Sequence, residues 1–171
     1  VINPEPAAPY SGMLPGHIAG HYRRDQMMID LLRLCRLSGA RAVLDRAVGI
    51  DRTAQEVICA SGRRIGYDLA SLDTGITSDL PDLPGFADHT TPAKPLSTYL
   101  TAWDAFRARG LPAPKIAVLG AGVGGMELAF ATMHRLTQDG ARPSVTIISR
   151  SGEAVPGVSP RARHSPPRAA L

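Results

Sequence analysis

Lysine is nearly absent from this chain: Lys94 and Lys115 are its two copies among 19 basic residues, so the formal charge of +4 is carried almost wholly by arginine. The arginines are spread along the chain, and aromatic residues are scarce, at three Phe, four Tyr and one Trp. A nucleic-acid surface needs a basic stripe with aromatic platforms among it, so that class of function is excluded. The arginines read instead as solvated surface and a bias of genome composition. Cysteine is as rare as lysine. Cys35 and Cys59 stand far apart with no Cys-x-x-Cys, which excludes a zinc ribbon or a redox dithiol and suits a reduced, cytosolic interior. Long apolar runs are missing too. No charged n-region with an apolar h-region opens the chain, and the most apolar stretch, Ile116 to Met133, is interrupted by glycines and by Glu127. Neither a signal peptide nor a transmembrane span is expected. The chain starts at Val1 without an initiator Met, which fits an internal piece of a longer protein or a gene start cut short.

What is present is apolar residue enough, 44% of 171, for one core or two small domains. Pro4, Pro6, Pro9 and Pro15 mark Val1 to Pro15 as loop. From Gln26 the residues Met27, Met28, Leu31, Leu32, Cys35 and Leu37 fall mostly on one helical face, and Gly39 is a suitable stop. The period then shortens. Ala42 to Leu44, Val48 to Ile50, Val57 to Ile58 and Ile65 read as short strands of a small β-meander, with turns at Asp51-Arg52-Thr53 and Ser61-Gly62. Tyr67 to Leu72 reads as one more strand, ending at Asp73-Thr74-Gly75. Pro81, Pro84 and Gly85 then break the pattern, and a domain boundary is expected between Ile76 and Lys94. A connecting helix follows, with Pro95 in its first turn, Tyr99, Leu100, Trp103 and Phe106 as its apolar stripe and Gly110 at its end. Trp103 is read as core packing.

The chemistry-bearing motif is Gly120-Ala121-Gly122-Val123-Gly124-Gly125, because an apolar strand, Lys115 to Leu119, precedes it and a helix, Met126 to Leu136, follows. A second strand, Ser144 to Ser149, completes a β-α-β unit. In such a turn the first glycine permits the tight bend and the second lets backbone approach a pyrophosphate. The third lets helix and strand pack closely, while the helix N-terminus holds the anion. The ribose-reading position is Ser149, followed by Arg150, where an NAD enzyme usually carries an acid. Asp139 is too early for that role.

Gly120-x-Gly122-x-x-Gly125-x-Glu127 resembles the nicotinamide-binding motif of the pyridine nucleotide-disulfide oxidoreductase superfamily, in which a smaller NAD(P) domain is inserted into an FAD domain. Tyr67-Asp68 leading to Asp73-Thr74-Gly75 is similar to the strand that closes the first FAD segment and touches the flavin nucleotide, although the family usually has Ala where Asp73 stands. Val1-Ile2-Asn3-Pro4 and Pro9-Tyr10-Ser11-Gly12-Met13-Leu14-Pro15-Gly16 resemble flavoproteins related to type II NADH dehydrogenases, the kind sometimes fused to selenide, water dikinase. The resemblance spans Val1 to Gly157. It implies that Val1-Ile2 ends the second FAD-domain strand, that Asn3 replaces the ribose-binding acid and that Lys94-Pro95 belongs to the interdomain linker. It also implies an incomplete chain: the FAD domain's own first strand and glycine loop do not precede Val1, nothing after Gly157 matches, and the redox cysteine pair of true disulfide reductases is missing.

The remaining signals are weaker. His17 and His21, four apart, would share a helical face, but Gly16 and Gly20 argue against a rigid helix and no third ligand is visible, so no metal is expected. His134 reads as surface or core, and Ser11 lacks the glycine two residues earlier that a nucleophile elbow needs. The expected architecture is therefore α/β, a partial two-dinucleotide Rossmann-like flavoprotein fold with a small β-meander. It comprises a partial FAD domain over 1–93, a partial inserted NAD(P) domain over 94–157 and a loose Pro/Arg-rich tail over 158–171. The expected cofactors are FAD, held through Asn3, Asp73, Thr74 and Gly75, and NAD(P)H, held through Gly120, Gly122, Gly125, Glu127, Ser149 and Arg150. The resemblance implies hydride passing from NAD(P)H to flavin and on to an acceptor such as a quinone, in a cytoplasmic protein that could sit at the membrane surface when complete. No side chain is assigned as a catalytic acid or base. The alternative is a non-catalytic nucleotide-binding remnant that lacks FAD.

Overall fold

A computed structural model describes residues 1–75 and 84–150. Their contacts divide the chain into one unit of Val1–Ser11 and Asp25–Leu100 and another of Gly12–Arg24 and the chain from Thr101 onward. In chain order, strands β1 (Ile2–Asn3) and β2 (Ala7–Pro9) precede helix α1 (Leu14–Ala19), strand β3 (Met28–Asp30) and helix α2 (Leu31–Ser38). Strands β4 (Val43–Leu44), β5 (Ala47–Asp51), β6 (Glu56–Cys59) and β7 (Arg64–Gly66) follow, then helices α3 (Phe86–His89) and α4 (Leu96–Ala108). Strand β8 (Lys115–Leu119), helix α5 (Val123–Gln138) and strand β9 (Ser144–Ile148) come last. The fold is α/β.

In the first unit the proline-rich opening is not the expected loop. β1 pairs in parallel with β4, and β2 pairs antiparallel with β3, placing Pro9 opposite Met28. Two-stranded ribbons are all edge, where a proline costs no ladder bond, and its carbonyl still accepts: Pro6 O takes the Leu31 amide at 3.0 Å. The expected helix from Gln26 is likewise shortened. Arg24–Met27 forms a 3-10 turn, Met28–Asp30 is strand, and the Asp30 carboxylate caps α2 by accepting the Arg33 amide at 2.8 Å. Summed over a window, a strand residue and a helix stripe imitated one longer helix. Gly39, at φ 70°, ends α2 as expected.

The meander is present as three strands, β5 and β7 flanking β6 in antiparallel order, while the strand expected at Ala42 to Leu44 is β4, which lies outside it and pairs with β1. Its first turn is made by Asp51, whose Oδ1 accepts the amides of Thr53 and Ala54 at 3.1 and 3.0 Å. Arg64 ties the strands by bonding Glu56 at 2.6 Å and Asp51 at 2.8 Å. The expected strand at Tyr67 to Leu72 does not form. Tyr67 makes one last bond to Gln55 O, after which the chain is irregular, with Leu69 91% and Leu72 68% exposed. Those leucines are three apart, which is not the alternation of a strand with a buried face. Of the expected domain boundary, residues 76–83, with Pro81, lie outside the described residues.

In the second unit β8 and β9 pair in parallel from Lys115↔Ser144 to Leu119↔Ile148, joined by α5, the crossover that parallel strands require. Ala129, Ala131, Thr132 and Leu136 of α5 are buried, and α1 packs on α5 through Leu14 and Ile18. Gly16 is accommodated within α1, but Gly20, at φ 91°, stops the helix before His21, so no helix carries both His17 and His21. Trp103 is buried, stacked on Phe106.

The far end of α5 is closed by ions. Asp139 accepts from Arg107 at 2.8 Å and faces Arg135 Nε at 3.1 Å. Partial burial alone would raise the Asp139 carboxyl; the bonds from both guanidinium groups outweigh it and hold the group below its ordinary value of 3.8. Its contribution is therefore complete above that value and lost as pH falls through the lower folded one. Asp139→Ala should lower stability by about 1 kcal/mol at pH 7. The gap between variant and wild type in urea midpoints should close in acid, and a gap that stays constant down to pH 2 would refute the assignment.

Candidate functional site

The residues of the glycine motif come together where β8 passes into α5, and the backbone explains two of the glycines. Gly120 turns at φ 113°, a region that disfavours any Cβ, while its amide donates to Ile148 O at 2.8 Å and extends the parallel ladder. Gly125 lies so near the Gly120 carbonyl oxygen that a Cβ there would overlap it. Gly122 is the N-cap of α5, at φ −69° and ψ 172°, a conformation open to any residue, and a Cβ added to it meets nothing within 4 Å. Neither conformation nor packing within the chain explains why this position is glycine. Gly124 is equally open.

The helix starts at Val123, earlier than the expected Met126, and its first intrahelical bond runs from the Met126 amide to Gly122 O at 3.0 Å. The amides of Val123, Gly124 and Gly125 therefore precede the helical bonding frame and carry the positive end of the helix dipole. Reading Gly120 to Gly125 as loop left all three of these donors outside the helix. No apolar register announces the earlier start, because Val123 is 53% exposed and lies on the outer face of α5 with Glu127 and Phe130.

Glu127 sits in the second turn of α5, exposed. Ser149 and Arg150 follow β9 directly, and because Ile148 pairs with Leu119 they lie at the same end of the sheet as the glycine turn. Asp139 is at the opposite end of α5. Asn3 ends β1, its side-chain amide donating to Glu5 O at 2.7 Å, and Asp73, Thr74 and Gly75 lie in exposed irregular chain. These four belong to the other unit. Among the described residues no three His, Cys, Asp or Glu side chains group as a metal site, and no helix is long and apolar enough to cross a membrane.

Known proteins share this architecture. The sequence model described as pyridine nucleotide-disulphide oxidoreductase matches residues 1–165. No curated protein matches the chain. Among solved structures, the sulfide:quinone oxidoreductase of Aquifex aeolicus aligns with a TM-score of 0.67 at 20% identity, over 86% of this chain and 36% of its own. A ferredoxin reductase of Rhodopseudomonas palustris gives 0.67 at 23%, over 95% and 39%, and an NAD-dependent persulfide reductase of A. fulgidus gives 0.69 at 20%, over 91% and 30%. At these identities the likeness is one of fold. The chain spans about a third of their length.

The glycines separate by substitution. Gly125→Ala, which drives a Cβ into the Gly120 carbonyl, should cost about 1–3 kcal/mol, and Gly124→Ala should gain about 0.5–1 kcal/mol from helix propensity. Gly122→Ala should change stability little, a weaker N-cap offsetting a stiffer unfolded chain. Urea unfolding of the three variants checks the order. A Gly122→Ala as damaging as Gly125→Ala would mean that Gly122 is needed by the fold.

Proposed function

The chain belongs to the pyridine nucleotide-disulphide oxidoreductase family, and from that premise we propose that the β8–α5 turn binds the pyrophosphate of a nicotinamide dinucleotide. One observation carries the reading: Gly122 leaves open space that the fold does not need, at the N-terminus of a helix whose first amides are available to an anion. A pyrophosphate approaching there would be excluded by a side chain. Ser149 and Arg150, beside the turn, would face the adenosine ribose. Serine neither holds the 2′-hydroxyl as an acid would nor repels a 2′-phosphate, and the guanidinium fork of Arg150 suits phosphate oxygens.

We further propose that residues 1–93 are part of an FAD domain, in which Asn3, Asp73, Thr74 and Gly75 contact the flavin nucleotide, and residues 94–157 part of an inserted NAD(P) domain; the expected tail at 158–171 lies outside the described residues. The function is FAD-dependent NAD(P)H oxidoreduction, with an acceptor such as a quinone, in a cytoplasmic protein. The redox chemistry resides in the cofactors when bound, and this chain's part is to bind and orient them. The chain is a piece of that protein. Support comes from apolar surface left open: Leu119 and Ile148, on one face of the β8–β9 pair, are 51% and 49% exposed, and Leu37 of α2 is 75% exposed. Parallel strands normally have both faces covered. A second reading, a nucleotide-binding module without flavin, is favoured by the irregular, exposed course of Asp73 to Gly75. A colourless purified chain that still binds NADPH would support the module; a yellow one bleached by NAD(P)H would support the enzyme.

Titration calorimetry should show NADPH binding at least as tightly as NADH. Gly122→Val should abolish both, and the surface change Arg109→Ala should spare them. Ser149→Glu combined with Arg150→Ala should turn the preference toward NADH. A strong NADH preference in the unaltered chain would overturn the roles of Ser149 and Arg150, and unchanged affinity in Gly122→Val would overturn the site.

A further inference from the structure

We propose that His21 and His134 form a two-histidine site for a divalent transition-metal ion, which clamps the turn after α1 to the middle of α5. Their ring centroids are 5.7 Å apart, tilted by 43°, although 113 residues separate them in sequence. An ion held at about 2.0–2.1 Å from one nitrogen of each imidazole, at a tetrahedral angle, puts the two centroids about 5–5.5 Å apart. The observed spacing exceeds that by a few tenths of an ångström.

Both rings stand on fixed backbone. The His21 amide donates to Gly16 O at 2.8 Å, and Gly20 holds the left-handed C-cap of α1. His17, the nearer histidine in sequence, is occupied elsewhere, its Nδ1 at 2.8 Å from Tyr22 O, which secures the same turn. His134 rises from the interior of α5. Both imidazoles are exposed, leaving water to complete the coordination, and imidazole ligands favour Zn²⁺, Ni²⁺ and Cu²⁺ over Mg²⁺ or Ca²⁺.

The charged groups around the pair allow a cation. Arg135 lies against Gly20, but it is ion-paired to Asp139 at 3.1 Å, so its charge is partly neutralised. The site is separate from the glycine turn, since His134 lies about 16 Å along α5 from Val123. Dinucleotide binding and metal binding therefore succeed or fail independently.

The test is titration of the whole chain with NiCl2 and with ZnCl2 by calorimetry at pH 7.5 and 5.5, paired with thermal unfolding. The expected result is one ion per chain at pH 7.5, with affinity at least tenfold weaker in His21→Gln and in His134→Gln, and unchanged in the control His89→Gln. Affinity should fall at pH 5.5, where protons compete for the imidazoles. The melting temperature should rise with Ni²⁺ in the unaltered chain and in neither variant. Equal affinity in the unaltered chain and His134→Gln, or binding by the unaltered chain indifferent to pH, overturns the proposal. The pH comparison needs no variant, and metal-free circular dichroism identifies any variant that fails to fold.

Discussion

Gly125 of α5 and the carbonyl oxygen of Gly120 approach so closely that no Cβ fits between them. That contact fixes the candidate site, because it sets the first turn of α5 directly on the end of β8. With the helix seated there, the amides of Val123, Gly124 and Gly125 fall at the end of the sheet, and Ser149, one residue beyond Ile148, falls beside them. Had an alanine stood at 125, the helix would start farther from the strand and the amides would no longer share the turn with Gly122. The bond from the Gly120 amide to Ile148 O, at 2.8 Å, couples this geometry to the second strand.

A helix so placed must also be held along its length, and here the packing is made of small residues and one arginine. Ala129 and Ala131 let neighbours approach the α5 backbone, while Leu14 and Ile18 of α1 supply the apolar volume. Arg135 lies against Gly20, where a Cβ would strike its guanidinium, and pairs with Asp139, which also accepts from Arg107. One arginine thus meets the C-terminus of α1, where a cation is favoured, and the C-cap of its own helix.

The second unit was the more legible in sequence because its signals are local and unambiguous. An apolar run, a glycine turn, an amphipathic helix and a second apolar run leave one arrangement, and the strand limits at Lys115, Leu119 and Ser144 match the expectation. The first unit was less legible where its elements are two or three residues long. A strand such as Ile2–Asn3 shows no period at all, and its existence depends on Val43–Leu44 some forty residues away. Prolines misled at β2, since the rule against them applies to ladders that need the missing amide and Pro9 stands on an edge. At α2 the helical stripe expected from Gln26 runs past the true start, because Asp30 caps a helix that begins at Leu31. Three strands of the meander were legible, because Asp51 and Gly62 announce its turns; Val43–Leu44, expected beside them, instead pairs with β1. At the site the glycines were legible and the helix start was not.

The distinction among the glycines bears on how far binding determinants can outlast the rest of a fold. A two-stranded parallel pair with one face open is a weak sheet, and Leu119 and Ile148 expose surface that such strands ordinarily bury. The glycine turn does not draw its geometry from that open face. Gly120 needs its own φ and the Ile148 carbonyl, Gly125 needs the Gly120 carbonyl, and Gly122 needs the helix that follows it; each constraint acts within a single β-α-β unit. Covering the open face would add stability at about 25 cal/mol per Å² of apolar area without redirecting the amides. The geometry of the glycine turn is therefore the part of the fold least dependent on what lies beyond the strands.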